Sequence, residues 1–277
     1  MIKLDKVSKK FGTGSFGLLD VSLVIEKGEF VFLVGSTGAG KTTIFKILIR
    51  DVLPTEGSVV VNDWDIIKLP KNKISNLRKK VGFVFQDLKL LFDRTIFENV
   101  ALPLEVAGVK TEEAIKTVED VLSQVGLLDH KDKFPIQLSG GELQRAAIAR
   151  ALVLSPEILL ADEPTGNLDA ATSWEIVKLL SDINKKGTTV VMATHNTDIV
   201  KSLGKRVIHL EKGKIIADEK IKLSEAKSSS AGDDKSSSVK PSDGQGGKIS
   251  EEHEEEKQIH HPHKVVEEDK EEKGANK

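Results

Sequence analysis

Eight consecutive residues follow the G-x-x-x-x-G-K-[ST] pattern of a phosphate-binding loop. With the residue after it, this phosphate loop comprises Gly35, Ser36, Thr37, Gly38, Ala39, Gly40, Lys41, Thr42 and Thr43. Glycines allow a backbone to curl around phosphate, and amide groups at a helix N-terminus attract the anion. In such a loop the lysine reaches the β- and γ-phosphates, and the threonine hydroxyl binds Mg²⁺. The spacing therefore predicts a site for a nucleoside triphosphate and Mg²⁺.

The flanking residues decide between this prediction and a chance glycine turn. Before the loop, residues 30–34 form an apolar run with the length of a buried strand. After it, residues 43–49 carry apolar side chains at helical spacing. The residues expected to face inward are Ile44, Phe45, Ile47 and Leu48. A strand, a glycine loop and a helix in this order favour phosphate binding.

An acidic pair, Asp162 and Glu163, follows the apolar residues 158–161. Ligands of open α/β sheets bind at the carboxyl ends of strands, so these carboxylates are expected beside the phosphates. Asp162 can hold Mg²⁺ directly or through water, and Glu163 can take a proton from an attacking water. A solvated acidic pair is the alternative, and the apolar run before the pair argues against it.

A second glycine-bearing stretch spans residues 138–145, and an alanine-rich helix is expected to begin within it. Its candidate binding residues are Ser139, Gly140, Gly141 and Glu142. A helix N-terminus attracts anions, yet the sequence contains no second nucleotide loop for this one. We infer that it contacts the nucleotide held by another copy, which predicts a head-to-tail homodimer with two buried nucleotides.

The chain has 277 residues, no cysteine and a net charge of −2. Disulfide frameworks, thiolate zinc sites and cysteine nucleophiles are thereby excluded. Neither a membrane-spanning apolar run nor a signal-peptide core is evident, so a soluble cytoplasmic protein is expected. The charge is uneven, because residues 224–277 contain 9 Lys against 14 Asp or Glu and the remainder is net +3. Such a balanced body gives no reason to expect a nucleic-acid partner.

Alternating strands and helices predict an α/β fold, with a mainly parallel sheet core and an antiparallel edge. Two N-terminal strands are expected from the period-two alternation of their apolar side chains. Their inward residues are predicted to be Ile2, Leu4, Val7, Leu19, Val21, Leu23 and Ile25. A hairpin at about residues 207–217 is expected to end the sheet.

An inserted α-helical subdomain is expected at about residues 87–150, where helical spacing replaces the strand pattern. Thr111 is predicted to cap one of its helices. The globular domain is assigned to residues 1–222. Residues 223–277 are rich in Ser, Lys, Glu and Gly, so we predict a disordered tail. Its histidines are interpreted as solvated side chains, with weak metal binding as the alternative.

The phosphate loop, residues 138–144, residues 158–163 and His195 occur in the order found in the ATPase subunits of ABC transporters. The chain resembles that family over about residues 1–220. The resemblance implies a P-loop NTPase fold of the ABC ATPase type that binds and hydrolyses ATP. Residues 138–144 then correspond to the family signature, and residues 138–145 are called the signature segment below. The catalytic residues implied by the resemblance are Glu163, His195, Gln86 and Lys41.

The same resemblance implies further binding roles. Phe11 resembles the aromatic residue on which adenine stacks, although taken alone it can also be interpreted as a core side chain. Gln86 resembles the glutamine that senses Mg²⁺ and the γ-phosphate, and it joins Thr42 and Asp162 as an expected metal ligand. Asp169 belongs to a loop that resembles the family's D-loop.

Narrower features resemble the cell-division ATPases called FtsE. Residues 161–169 are similar to a group that contains FtsE and the lipoprotein-release and macrolide-export ATPases. Within that group, residues 81–87, 90–95 and 98–104 look most like FtsE. The likeness implies an FtsX-like integral membrane subunit, peripheral attachment to the cytoplasmic face of the membrane, and regulation of cell-wall hydrolysis. Residues 88–92 are interpreted either as a surface for that subunit or as core.

Three other functions are kept open. A lipoprotein-release or macrolide-export ATPase would differ in its membrane partner. ABC ATPases that act on DNA or on ribosomes carry long coiled coils or two cassettes, and this sequence shows neither. A scaffold that binds ATP without turnover is disfavoured by the presence of Glu163 and His195.

Overall fold

The computed structural model describes residues 1–12 and 14–219. Its strands are β1 (Ile2–Lys10), β2 (Phe16–Ile25), β3 (Phe30–Val34), β4 (Glu56–Val61), β5 (Trp64–Asp65), β6 (Val81–Val84), β7 (Ile158–Asp162), β8 (Thr189–Thr194), β9 (Arg206–Glu211) and β10 (Lys214–Glu219). Its helices are α1 (Lys41–Leu48), α2 (Ile74–Lys80), α3 (Ile96–Ala107), α4 (Thr111–Gln124), α5 (Gly140–Leu152), α6 (Ala170–Lys185) and α7 (Thr197–Leu203). The predicted tail at residues 223–277 lies outside the described residues, and the domain bounds remain a prediction.

A six-stranded sheet in the order β10-β9-β3-β8-β7-β6 forms the centre of the fold. Strands β9, β3, β8, β7 and β6 are parallel, and β10 pairs antiparallel with β9 at the edge. The carboxyl ends of the parallel strands therefore meet at one edge of the sheet. The phosphate loop follows β3 there, Gln86 follows β6, Glu163 follows β7 and His195 follows β8.

Two hydrophobic cores lie on the two faces of this sheet. Alternate residues of β3 divide between them, with Phe30 and Phe32 in one core and Val31 and Leu33 in the other. A parallel strand buried on both faces is expected to be apolar at every position. Helices α3–α6 supply the first core, whereas α1 and the antiparallel strands supply the second.

The antiparallel sheet has the order β2-β1-β4-β5, and it corrects one sequence prediction. Leu18 is buried in place of Leu19, which is only half-buried. The alternation slips because Asp20 adopts a left-handed conformation with φ +52°. The pairing of β1 with β2 shifts register at the same place, between Val7 and Lys9. Such a bulge moves the following side chains to the other face.

Helices α3, α4 and α5 lie between β6 and β7. Thr95 caps α3 through a reciprocal pair of hydrogen bonds with Glu98. The prediction for Thr111 was wrong, because it is the first residue of α4 and Lys110 takes the cap position without a side-chain bond. The short helices α2 and α7 were not predicted, since seven residues hold too little periodic pattern to be recognised.

Candidate nucleotide-binding site

The phosphate loop joins β3 to α1 in a conformation that only glycine supports at several positions. Gly38 and Gly40 have φ of +81° and +112°, values that L side chains rarely adopt. Gly35 has no room for a side chain, because an added Cβ would lie 2.4 Å from the carbonyl oxygen of Leu210. Gly40 is also the N-cap of α1, so the loop leads directly into a helix N-terminus. That arrangement suits an anion.

Lys41 lies across the loop and is buried. Its Nζ donates hydrogen bonds to the carbonyl oxygens of Gly35 at 2.7 Å and Ser36 at 3.3 Å. The same Nζ is 3.3 Å from Oε1 of Glu163. The ammonium group is therefore fixed at the mouth of the loop, between backbone dipoles and a carboxylate.

Asp162 is buried at the end of β7 and faces α1. Its Oδ2 accepts a hydrogen bond from Oγ1 of Thr42 at 2.7 Å, whereas its Oδ1 is buried with no hydrogen-bond partner. Burial raises the pKa of Asp162, and the Thr42 bond and the charge of Lys41 only partly oppose that effect. An unpaired buried carboxylate oxygen beside a hydroxyl fits a hard divalent cation such as Mg²⁺.

Glu163 and His195 meet beside Lys41. Oε2 of Glu163 is 2.6 Å from Nδ1 of His195, and the Glu163 side chain is only 12% exposed while that of His195 is 68% exposed. The backbone of Glu163 is left-handed with φ +50°, and its amide donates to the carbonyl of Ala193 on β8. A non-glycine residue in this conformation stores strain, which is concentrated at functional sites. The bent backbone aims the carboxylate along the sheet edge towards Lys41.

A cavity of about 230 Å³ contains these groups. Its lining residues are Thr37, Gly38, Ala39, Gly40, Lys41, Thr42, Thr43, Gln86, Asp162, Glu163, Gly166, Asn167 and His195. The structure thus brings together residues 37–43 of the phosphate loop, the acidic pair, Gln86 and His195, as the sequence predicts. From the loop that resembles the D-loop, Asp169 was the predicted binding residue, but Asn167 lines the cavity instead.

Sequence reasoning missed Arg150, which supports the segment after Gln86. Its guanidinium donates hydrogen bonds to the carbonyl oxygens of Leu88 and Lys89. Those two residues have left-handed backbones with φ of +56° and +52°. Two such residues in succession need support from their surroundings. The local sequence carries no signal for this contact, because its partners lie more than sixty residues earlier in the chain.

A larger groove of about 1060 Å³ adjoins the smaller cavity. Four residues line both the groove and the cavity: Thr42, Gln86, Asp162 and Asn167. The remaining walls of the groove come mainly from α1, α2, α3, β6 and α5. The core interpretation of residues 88–92 holds for part of the segment, and the partner surface stays a prediction. Leu90 is buried in the core, whereas Leu91 and Phe92 are 41% and 62% exposed.

The signature segment is built as a helix cap. Ser139 is the N-cap of α5, and Oε2 of Glu142 accepts hydrogen bonds from its amide and its hydroxyl at 2.7 Å each. These bonds lower the pKa of Glu142, the side-chain bond most. Gly141 packs closely against α6, because an added Cβ would lie 2.5 Å from Cγ2 of Thr172. Asp169 caps α6 by accepting from the amide of Thr172.

Eight predicted binding residues do not line the cavity around Lys41: Phe11, Gly35, Ser36, Ser139, Gly140, Gly141, Glu142 and Asp169. Phe11 is 38% exposed beside Gly17, where an added Cβ would lie 2.6 Å from the ring. Ser139 and Gly140 are exposed. The cavity is therefore formed without the signature segment of the same chain.

Residues 18–166 match the family described as ABC transporter. A solved dimeric structure of the ATP-binding cassette MJ0796, in a post-hydrolysis state with ADP and Pi, is 38% identical with a TM-score of 0.74. The match covers 80% of this chain and 99% of that cassette. CbiO1 of Clostridium perfringens is 30% identical, with a TM-score of 0.73 over 79% of this chain and 88% of that one. The predicted fold class is confirmed, and the class of protein is an ATP-hydrolysing cassette.

Comparison with characterised relatives shows which ATP-hydrolysing cassettes this chain resembles. The cell division ATP-binding protein FtsE of Bacillus subtilis is 48% identical over 219 residues, which cover 79% of this chain and 96% of that protein. FtsE of Escherichia coli K12 is 43% identical over 213 residues, covering 77% and 96%. The chain therefore belongs to the ABC transporter family, as an ATP-binding subunit that resembles FtsE. Within residues 1–12 and 14–219, no helix has both the length and the apolar character needed to cross a membrane.

Proposed function

We propose that this protein is the ATPase subunit of an FtsEX-like complex, and that ATP binding closes a homodimer of it. The observation that carries the proposal is the division of the predicted site. Residues 37–43 of the phosphate loop, the acidic pair, Gln86 and His195 surround one cavity, and Ser139 and Gly140 of the signature segment are exposed outside it. A second copy can supply its own signature to that cavity, and the solved MJ0796 cassette is itself dimeric.

The residues of the cavity suit hydrolysis of the γ-phosphate. Lys41 exchanges its contacts with Gly35 and Glu163 for phosphate oxygens when ATP binds, which frees the Glu163 carboxylate. Glu163 then accepts a proton from water as that water attacks the γ-phosphorus and the bond to ADP breaks. His195, which is hydrogen-bonded to Glu163 in the nucleotide-free structure, turns to the γ-phosphate when ATP is bound.

The remaining roles follow from position. Thr42, Gln86 and Asp162 would hold Mg²⁺, and the unpaired Oδ1 of Asp162 supports this set. When bound, Mg²⁺ neutralises charge on the phosphates. Phe11 offers an exposed ring for adenine. Ser139 and its neighbours in the signature segment contact the nucleotide held by the partner copy, with Gly140, Gly141 and Glu142 shaping the helix end and Asp169 lying beside it.

An integral membrane subunit like FtsX is the proposed partner, and it would hold this protein at the cytoplasmic face of the membrane. The groove beside Gln86 supports the proposal, because it adjoins the cavity and shares Gln86 with it. Exposed Leu91 and Phe92 follow Gln86 and offer apolar contact. The identity with FtsE relatives supports an output in cell division, through regulation of cell-wall hydrolysis.

The test uses Glu163→Gln with Mg²⁺ and ATP. Light scattering should show twice the 30.2 kDa mass of one chain, and the same variant carrying Lys41→Ala should remain at 30.2 kDa. A Glu163→Gln protein that hydrolyses ATP at the parent rate would falsify the base assignment.

Capture from the protein's own membranes should recover a subunit with several spans and a large extracytoplasmic loop. Recovery of a lipoprotein-release or export permease instead would refute the division assignment.

A further inference from the structure

The turn that joins β9 to β10, residues 211–213, is hydrogen-bonded to the phosphate loop. The amide of Gly213 donates a hydrogen bond to the carbonyl oxygen of Ala39 at 2.9 Å. The carbonyl of the same glycine accepts a hydrogen bond from the amide of Leu19 on β2 at 2.8 Å. One residue of this turn, which we call the terminal turn, thus joins the phosphate loop to the antiparallel sheet.

Backbone segments approach closely here and leave little room for side chains. Gly213 has φ +78°, and an added Cβ would lie 3.1 Å from the carbonyl oxygen of Gly17 and from Cα of Leu18. At Gly40 an added Cβ would lie 2.6 Å from that same oxygen and 3.5 Å from Cα of Gly213. The phosphate loop is therefore enclosed between the terminal turn and the beginning of β2.

The loop needs such external support. Gly38 and Gly40 give its backbone several accessible conformations, and those alternatives must be lost before its amides can surround a phosphate. A hydrogen bond from outside the loop restricts them in advance, which favours binding by preorganisation. The other end of the same bridge reaches β2 next to Gly17, against which the Phe11 ring packs.

We propose that Gly213 is a positioning residue for the nucleotide: it fixes the phosphate loop through Ala39 and couples it to the strand that supports Phe11. The inference rests on the proposed nucleotide site and goes beyond it. No residue of the terminal turn is among the described residues that line the cavity, so its effect passes through the loop.

The experiment compares Gly213→Ala with Gly28→Ala in the full chain. Gly28 has a similar φ of +76°, but a Cβ added there would lie 3.8 Å from its nearest neighbour, the carbonyl oxygen of Gly187, which is an ordinary contact distance. Both alanines bear the strain of a positive φ, and only the first disturbs the phosphate loop. Titration with Mg²⁺-ADP should give a Kd about tenfold weaker for Gly213→Ala and unchanged for Gly28→Ala. The KM for ATP should rise in parallel, with kcat within about twofold.

A parent-like Kd for Gly213→Ala would overturn the proposal. Lys41→Ala in the same titration separates this failure from failure of the nucleotide site. If Lys41→Ala loses ADP and Gly213→Ala keeps it, only the role of Gly213 is refuted; if Lys41→Ala also binds normally, the proposed site itself is refuted. If a variant does not fold, hydrogen exchange of the parent protein tests the proposal without any substitution. Residues 211–214 should exchange more slowly with ADP bound, and unchanged exchange there would refute the coupling.

Discussion

Replacing Asp162 with asparagine should stabilise the nucleotide-free protein while abolishing Mg²⁺-dependent hydrolysis. Asp162 is 3% exposed, and one of its carboxylate oxygens has no hydrogen-bond partner. An unsatisfied buried group costs about 1–3 kcal/mol, and more when it is charged. Asparagine keeps an acceptor for the Thr42 hydroxyl and removes the charge. Lost attraction to Lys41 offsets part of the gain, so we expect the free energy of unfolding to rise by about 1 kcal/mol at neutral pH.

The pH dependence of this difference has a defined sign. Burial raises the pKa of Asp162, so the folded protein holds the proton more strongly than the unfolded chain does. Stability of the parent therefore falls as pH rises from the unfolded pKa, about 3.9, through the raised folded value. Asparagine does not titrate. The advantage of Asp162→Asn should thus be smallest below about pH 4 and should grow above it.

Urea denaturation in EDTA, without nucleotide, measures the effect. Asp169→Asn is the matched control, because Asp169 is exposed and asparagine caps helices as well as aspartate does. It should leave stability nearly unchanged. Addition of Mg²⁺ and ADP should stabilise the parent and not Asp162→Asn. An Asp162→Asn protein about 1 kcal/mol less stable than the parent in EDTA would show that the carboxylate is favourable in the free site, contrary to this reasoning.

Two further predictions concern the helix that carries the signature segment. Arg150→Met should lower the free energy of unfolding by about 2 kcal/mol, because two carbonyls after Gln86 lose their donor; thermal unfolding checks this, and an unchanged midpoint would contradict it. Glu142 has a lowered pKa, chiefly through Ser139, so its contribution to stability is present above its unfolded pKa and is lost as pH falls through the folded value. Glu142→Gln should therefore flatten the acid side of the stability profile in urea titrations, and a profile equal to the parent's would refute that contribution.

The site is predictable from sequence where the chemistry fixes residue type and spacing together. The phosphate loop, the acidic pair after β7 and His195 after β8 each occupy a strand end, and the parallel sheet brings those ends to one edge. The order of these three motifs therefore predicts that their side chains share a cavity. Gln86 joins them for the same reason, as it follows β6.

Other features depend on contacts between distant segments, which local patterns do not contain. Leu19 was placed inward because alternation was extended across Asp20, whose left-handed backbone shifts the register. Arg150 in its helix gives no local indication that it contacts the segment after Gln86, more than sixty residues earlier in the chain. Gly213 looks like an ordinary hairpin glycine until its contact with Ala39 is seen.

In the proposed mechanism, two chains complete each nucleotide site. Lys41→Ala and Ser139→Arg test this claim directly when they are assayed alone and mixed in equal amounts. Each variant alone should be inactive, since every site in either homodimer carries one damaged half. In the mixture, about half of the dimers contain both variants, and one of their two sites is intact, so about a quarter of the parent ATPase activity should return. Parent-level activity of Ser139→Arg by itself, independent of protein concentration, would contradict the claim.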